Sequence, residues 1–282
     1  MPNPSDEPIK YRPITRANFA KSDVFTRLDS DLRESIDVVS RVLPFRTNEY
    51  LVDNLIDWDS VPDDPIFQLT FPQRGMLDDT QYIRIRNLIR AGAANAEIET
   101  EANLIRMELN PHPAGQMTHN VPHVNGEPIP GMQHKYRETA LFFPSHGQTC
   151  HAYCTFCFRW AQFVGMEDMK FASKEADQLA QYLQAHPEVS DVLFTGGDPM
   201  IMKTKVFARY IEPLLAIESV RSIRIGTKSL GYWPQRFVTD ADADDMLRLL
   251  EKITNTGKQV AIMGHYSHPV EFSTTIAREA VR

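Results

Sequence analysis

The sequence predicts an α/β fold, a partial (β/α) barrel with a helical N-terminal extension. Three observations predict it. After residue 136 short β-prone apolar runs alternate with amphipathic helical stretches, and before residue 135 helical periodicity is broken by proline-rich connections. A hydrophobic content of 42% over 282 residues is also enough to bury a full core. No internal repeat or low-complexity tract interrupts either pattern.

Taking the elements in order, residues 30–43 place Leu32, Ile36, Val39 and Val42 at helical spacing. Residues 79–91 do the same with Tyr82, Ile83, Ile85, Leu88 and Ile89. Pro111, Pro113, Pro122, Pro128 and Pro130, interspersed with Gly115, Gly126 and Gly131, then mark a long ordered loop or linker. The chain is thereby divided into a helical N-terminal region with its linker over 1–135 and a barrel domain over 136–282. In the second part strands are predicted at 139–144, 191–195, 222–226 and 259–263, and helices at 174–185, 204–216, 242–254 and 272–282. Strand, helix and strand in succession imply parallel pairing through right-handed crossovers. Four strands leave an uncovered edge, so the expectation is a barrel truncated after its fourth strand, an N-terminal fragment or shortened homologue.

The balance of 30 Lys+Arg against 37 Asp+Glu gives a net charge of −7, which disfavours nucleic acid and anionic membrane as partners and points to small molecules. No run approaches the roughly 20 apolar residues of a membrane helix. The opening Met1 to Glu7 lacks the basic and apolar blocks of a signal peptide, so a cytoplasmic protein is expected.

All three cysteines, Cys150, Cys154 and Cys157, fall within eight residues, so a disulfide framework would leave one unpaired and could close only a tiny loop. They follow directly on the first barrel strand, at the carboxyl mouth where ligands sit in parallel α/β folds. Three thiolates at spacings of four and three fit three corners of an iron-sulfur cubane and leave the fourth iron open to a ligand. Structural zinc is the rival, and it would need His146 or His151 as a fourth ligand; burial as ordinary core cysteines is the other alternative. The confinement of every cysteine to one loop favours the cluster. One strand later, Gly196 and Gly197 allow close backbone approach to a ligand, and Asp198 offers an anionic acceptor for an ammonium group.

The CxxxCxxC loop after a first barrel strand resembles the radical S-adenosylmethionine superfamily, and the Gly196-Gly197-Asp198-Pro199 turn resembles its glycine-glycine-acid motif. Within it the chain resembles the lysine 2,3-aminomutase branch over most of residues 43–282. The matching stretches are Asp64-Pro65-Ile66, the run from Pro130 to Tyr136, the cysteine loop with Arg159, Arg224-Ile225-Gly226, Pro234-Gln235-Arg236 and the run from His265 to Pro269. The resemblance implies a barrel of the radical S-adenosylmethionine type and a [4Fe-4S] cluster on the three cysteines. That cluster would cleave S-adenosylmethionine reductively to a 5′-deoxyadenosyl radical and serve an isomerase that shifts an amino group with pyridoxal phosphate as carrier. It implies roles as well: Tyr153 by the adenine, Gly196, Gly197 and Asp198 for the methionine amino group, Tyr136 near the pyridoxal, and Arg159 on the substrate carboxylate. Arg224, Lys228 and Arg236 would serve phosphate or carboxylate groups or lie as surface charges, with Lys228 placed on the surface. His265 and His268 would approach the adenosine or the pyridoxal ring.

Departures stand beside the match. The loop from Tyr136 to Cys150 is longer than in the typical aminomutase, and Thr139 falls where the family carries an arginine for the pyridoxal phosphate group. The sequence ends before the region of the family's Schiff-base lysine, so no lysine here takes that role. The implied partners are an amino-acid substrate and a reducing electron donor such as flavodoxin or ferredoxin, and the acidic charge with a helical N-terminal region is compatible with a homo-oligomer. The alternatives are a pyridoxal-independent radical enzyme acting on a peptide or another substrate, and a non-catalytic iron-sulfur protein.

Overall fold

The computed structural model describes residues 10–112, 115 and 117–282; the leader reading of Met1 to Glu7 and Pro113 of the linker lie outside the described residues. The described residues form two compact units, one of residues 11–112 with 151–170, the other of residues 10, 115, 117–150 and 171–282. The segment 151–170, which carries Cys154 and Cys157, groups with the helical unit, and the described residues up to 135 that follow 112 group with the sheet unit.

In the helical unit, Ser30–Val42 begins where the Asp29 carboxylate accepts the Leu32 N–H at 2.8 Å, and Asp79–Arg90 begins where Asp78 accepts the Gln81 N–H at 2.8 Å. A third helix, Asn95–Glu108, completes a core of Val38, Val39, Val42, Tyr82, Ile85, Ile98, Ala102 and Ile105. Ile85 and Ala102 are fully enclosed there, and each large aliphatic side chain so buried contributes roughly 1.5–3 kcal/mol. Ile83, counted from its spacing on the buried face, is exposed instead: the helix buries Gln81, Tyr82 and Ile85, so position 83 turns outward. Two short strands that apolar periodicity does not show, Pro13–Thr15 and Arg46–Asn48, pair antiparallel.

The other unit is built on a five-stranded sheet in the order Met132–Tyr136, Thr139–Phe142, Asp191–Phe194, Ser222–Thr227, Gln259–Gly264. The last four are the predicted strands, and they pair in parallel with Phe142, Phe194 and Ile225 in register. The first strand is an addition: Met132–Tyr136 pairs antiparallel with Thr139–Phe142 in a stretch read as linker. Its sequence, Met-Gln-His-Lys-Tyr, lacks apolar alternation because it lies at the edge, where one antiparallel strand can stay wet. Helices Ala176–Ala185, Thr204–Leu215 and Ala243–Asn255 cover one face, burying Leu179, Leu183, Phe207, Ile211, Met246 and Ile253 against Phe142, Phe194, Ile223 and Ile225. The result is a mixed α/β unit with a parallel sheet. Among the described residues no helix is long and apolar enough to cross a membrane.

Candidate metal and cofactor site

Parallel strands deliver their following loops to one end of the sheet, and that end carries Cys150, Gly196, Gly197, Asp198 and His265. The approach to Cys150 is fixed by backbone bonds. Ser145 N–H donates to Ser173 O at 2.8 Å, Gly147 N–H to Pro144 O at 2.9 Å, and the Gln148 side-chain amide to Pro144 O at 3.1 Å. Against this segment lies the turn after strand Asp191–Phe194. Asp198 N–H donates to Gly147 O at 2.9 Å and to Thr149 O at 2.7 Å. A Cβ on Gly197 would stand 2.5 Å from both Thr149 N and Thr149 O and 2.6 Å from Gly147 O. Gly196 has a φ of +133° and faces the Gln148 amide. These glycines let two loops meet backbone to backbone, and they thereby seat the segment that ends at Cys150.

Asp198 differs from its expected role as an open acceptor. Its side chain is 2% exposed and receives the Thr227 hydroxyl at 2.7 Å, the N–H groups of Met200 and Lys228 each at 2.9 Å, and the Ser229 hydroxyl at 3.1 Å. Burial pushes this carboxyl above its ordinary range, and the surrounding donors pull the other way. A carboxylate so enclosed joins the turn to the end of strand Ser222–Thr227.

Lys228 is not the surface charge expected of it. Its ammonium lies 2.9 Å from the Glu271 carboxylate, which is fully buried, and 4.1 Å from the centre of the Tyr232 ring. Glu271 in turn accepts the N–H groups of Ser267 and His268, which shapes the loop behind His265. Partial burial first, and the Lys228 cation second, lower the pKa of His265. His268 turns inward, its Nδ1 accepting the Val270 N–H at 3.3 Å. Arg236 is also structural: it is 3% exposed and bonds Met200 O, Met202 O, Thr204 Oγ1 and Asp242.

The opposite, amino end of the sheet holds Tyr136 and the guanidinium of Arg224. Tyr136 pairs with Thr139 at the sheet edge and is 60% exposed. Arg224 donates to the Thr139 hydroxyl at 3.1 Å and lies 3.5 Å from Asp191. The structure therefore groups Tyr136 and Arg224 with each other and apart from Gly196, Asp198 and His265. Among these described residues no cradle for pyridoxal phosphate is assembled.

In the helical unit, the segment from His151 is tied down by its own backbone. Asn48 and the Tyr11 hydroxyl donate to His151 O, Tyr153 N–H to Arg46 O at 2.8 Å, and Thr155 N–H to Leu69 O at 2.9 Å. Cys157 N–H donates to Cys154 O at 3.0 Å, so both thiols project from one turn. Tyr153 stacks on Phe163 with ring centres 4.7 Å apart. Burial pushes the Cys157 thiol up, while the N–H and the cation of Arg159 draw it down; burial in turn lowers Arg159 to about 10. Phe156 and Phe158 are 53% and 62% exposed beside them, and a cavity of about 220 Å³ reaches Cys154 between Leu43, Thr70, Met76, Leu109 and Trp160. Nothing in the spacing of Met76, Leu109 or Trp160 marks them as cavity residues, since each comes from a different segment.

All three cysteines are half-buried thiols outside any disulfide. Among the described residues no group of three or more His, Cys, Asp or Glu side chains converges to hold a metal ion. The donor set nevertheless suits an iron-sulfur cluster in kind: three thiols on one loop, with the Arg159 cation beside the third partly offsetting the upward push of burial on its thiol. A zinc site would need a fourth ligand, and among the described residues no such group converges with the cysteines. His146 Nδ1 bonds the Tyr210 hydroxyl at 2.9 Å, and the His151 ring packs edge-on against Tyr11 at 5.1 Å.

The sequence has relatives among curated proteins. The chain is 31% identical over 250 residues, 88% of its length, to a putative L-lysine 2,3-aminomutase of Aquifex aeolicus (strain VF5), covering 55% of that protein. It is 28% identical over 66% of its length to the L-lysine 2,3-aminomutase of Acetoanaerobium sticklandii and 26% identical over 68% to that of Clostridium subterminale, covering 42% and 43% of those chains. No family model matches the sequence. The chain spans about half the length of the curated relatives it matches. By this likeness, and by the cysteine and glycine-glycine-acid motifs within it, the chain is similar to the L-lysine 2,3-aminomutases and consistent with the lysine 2,3-aminomutase-like family of radical S-adenosylmethionine proteins.

Proposed function

We propose that this chain carries the cluster-binding part of a radical S-adenosylmethionine aminomutase acting on an amino acid, within a sheet that forms part of a (β/α) barrel. The observation that carries the reading is the confinement of all three cysteines to residues 150–157, with the glycine pair of the next loop locked against the segment leading to Cys150. When bound, a [4Fe-4S] cluster supplies one electron to S-adenosylmethionine and breaks a carbon–sulfur bond.

This chain's residues have the following work. The thiolates of Cys150, Cys154 and Cys157 hold three irons. Gly196 and Gly197 keep the entry to the loop seated, and Asp198 anchors the turn from beneath, so contact with a methionine amino group falls to backbone atoms of the turn. Arg159 keeps its cation next to Cys157, where it opposes the cost of burying a thiolate and can meet a carboxylate through a planar fork. Tyr153 and Phe163 offer a stacked aromatic surface. A cytoplasmic setting, a flavodoxin- or ferredoxin-like electron donor and a homo-oligomer belong to the same reading.

The test is anaerobic reconstitution with iron and sulfide, reduction in the presence of S-adenosylmethionine, and chromatography for 5′-deoxyadenosine. Release that Cys154→Ala abolishes supports the proposal. A cluster that forms and releases none contradicts it and leaves the electron-transfer or scaffold reading. Absorption in the pyridoxal range after incubation with pyridoxal phosphate separates the pyridoxal-dependent reaction from the pyridoxal-independent one.

A further inference from the structure

A second cavity, of about 300 Å³, lies wholly within the helical unit and is lined by Arg16, Arg46, Glu99, Arg106, Tyr153 and Phe163 among others. Its charge does not balance internally. Arg106 is saturated: it donates to Val42 O at 2.8 Å, Arg41 O at 2.7 Å, Asn103 at 2.6 Å and Glu99 at 2.5 Å, and it thereby neutralises the one carboxylate of the lining. Arg16, at the exposed rim in the fields of Glu99 and Asp37 as well as of Arg41 and Arg106, and half-buried Arg46 leave the lining with more cations than carboxylates. Arg46 Nε is buried without a hydrogen-bond partner, while the rest of the guanidinium meets neutral groups alone, the Tyr11 hydroxyl at 3.4 Å from Nη1 and the Tyr153 side chain.

A buried guanidinium donor left unpaired costs on the order of 1–3 kcal/mol. An acceptor that satisfies it beside a second cation is an oxyanion, whose two oxygens match the guanidinium fork. The rest of the wall is apolar or aromatic, with Leu43, Phe45 and the stacked Tyr153–Phe163 pair. At about 30 Å³ per water-sized share, the space admits on the order of ten non-hydrogen atoms, too few for a nucleotide.

We propose that this cavity binds the carboxylate or phosphate of a small organic anion, with Arg46 gripping the oxyanion and Arg16 closing over it from the rim. The site needs neither cluster nor S-adenosylmethionine, although it shares the Tyr153–Phe163 pair with the aminomutase reading. It does share an anchor with the cysteine loop: Arg46 O accepts the N–H of Tyr153, the residue before Cys154.

The test is isothermal titration calorimetry of the full chain at low ionic strength in chloride buffer, with inorganic phosphate, acetate and benzoate as probes. Saturable binding of at least one probe is expected, weakened about tenfold or more in Arg46→Met and in Arg16→Met. Arg90→Met, which removes an exposed arginine paired with Glu34, should leave it unchanged. Preference for phosphate or for benzoate distinguishes the two sources of the anion. Absence of saturable binding for all three probes, equal affinity in Arg46→Met, or equal loss in Arg90→Met overturns the proposal. Should Arg46→Met fail to fold, Arg46→Lys, which keeps the charge and removes the fork, decides together with Arg16→Met: unchanged affinity in both rejects the site, and weakened affinity in both supports it.

Discussion

Gly197→Ala is a one-methyl change whose cost can be worked from neighbouring backbone. Gly197 has no left-handed φ, so alanine is conformationally permitted there and the penalty is steric alone. The added Cβ would meet Thr149 N and Thr149 O at 2.5 Å and Gly147 O at 2.6 Å, all main-chain atoms that cannot rotate away. Relief requires the two loops to separate, stretching the bonds from Asp198 N–H to Gly147 O and Thr149 O. Overpacking of this kind costs about 1–3 kcal/mol, and a lost backbone hydrogen bond adds about 1 kcal/mol. Gly226→Ala is the matched control: its nearest neighbour would be Thr195 Oγ1 at 3.6 Å, an ordinary contact. Urea unfolding of the two variants should therefore differ by about 2–4 kcal/mol with Gly197→Ala the weaker. Reconstituted Gly197→Ala should also hold less iron, because the displaced segment ends at Cys150. Equal stability and equal iron content in the two variants would refute the claim that these glycines seat the cysteine loop.

Three further outcomes follow from the same contacts. Lys228→Met leaves the Glu271 carboxylate buried without its cation and should cost about 3–5 kcal/mol in chemical denaturation, with most of it recovered when Glu271→Gln is added; a double variant as weak as the single one would show that the pair is not the cause. Asp198→Asn places an amide NH₂ against one of the backbone donors Met200 N–H and Lys228 N–H in either orientation, so a loss of about 1–3 kcal/mol is expected by thermal unfolding, and a neutral outcome would refute the closed network. The Arg84 guanidinium first, and the Gln81 amide second, hold Glu108 below the usual carboxylate range. A depressed carboxyl contributes stability above its unfolded pKa and loses it as pH falls through the folded value, so acid titration should narrow the gap between wild type and Arg84→Met; a gap that widens toward low pH would contradict the sign.

The parallel strands were legible because each is a short apolar run between amphipathic helices, and burial of Phe142, Phe194, Ile223 and Ile225 is the physical content of that pattern. Met132–Tyr136 was not legible, since a wet edge strand needs no apolar alternation. The cysteine loop could be read from one sequence because ligand spacing is a local property. The roles of charged residues could not. Lys228, Arg236 and Asp198 all look like surface or ligand groups in the sequence, and each is enclosed by partners from distant segments: Glu271, Met200 with Asp242, and Thr227 with Ser229.

The glycine pair makes the same point from the other side. A strand-ending Gly-Gly-Asp is readable as a turn from its composition alone. Whether the missing side chains make room for a ligand or for another loop depends on what the fold brings against them. Here it brings the backbone of Gly147 and Thr149, so the constraint on Gly197 acts through Cys150 whether or not a ligand is bound. Loss of iron in Gly197→Ala should accordingly appear in the absence of S-adenosylmethionine, whereas a glycine kept only for ligand approach would leave iron content intact and weaken S-adenosylmethionine binding alone.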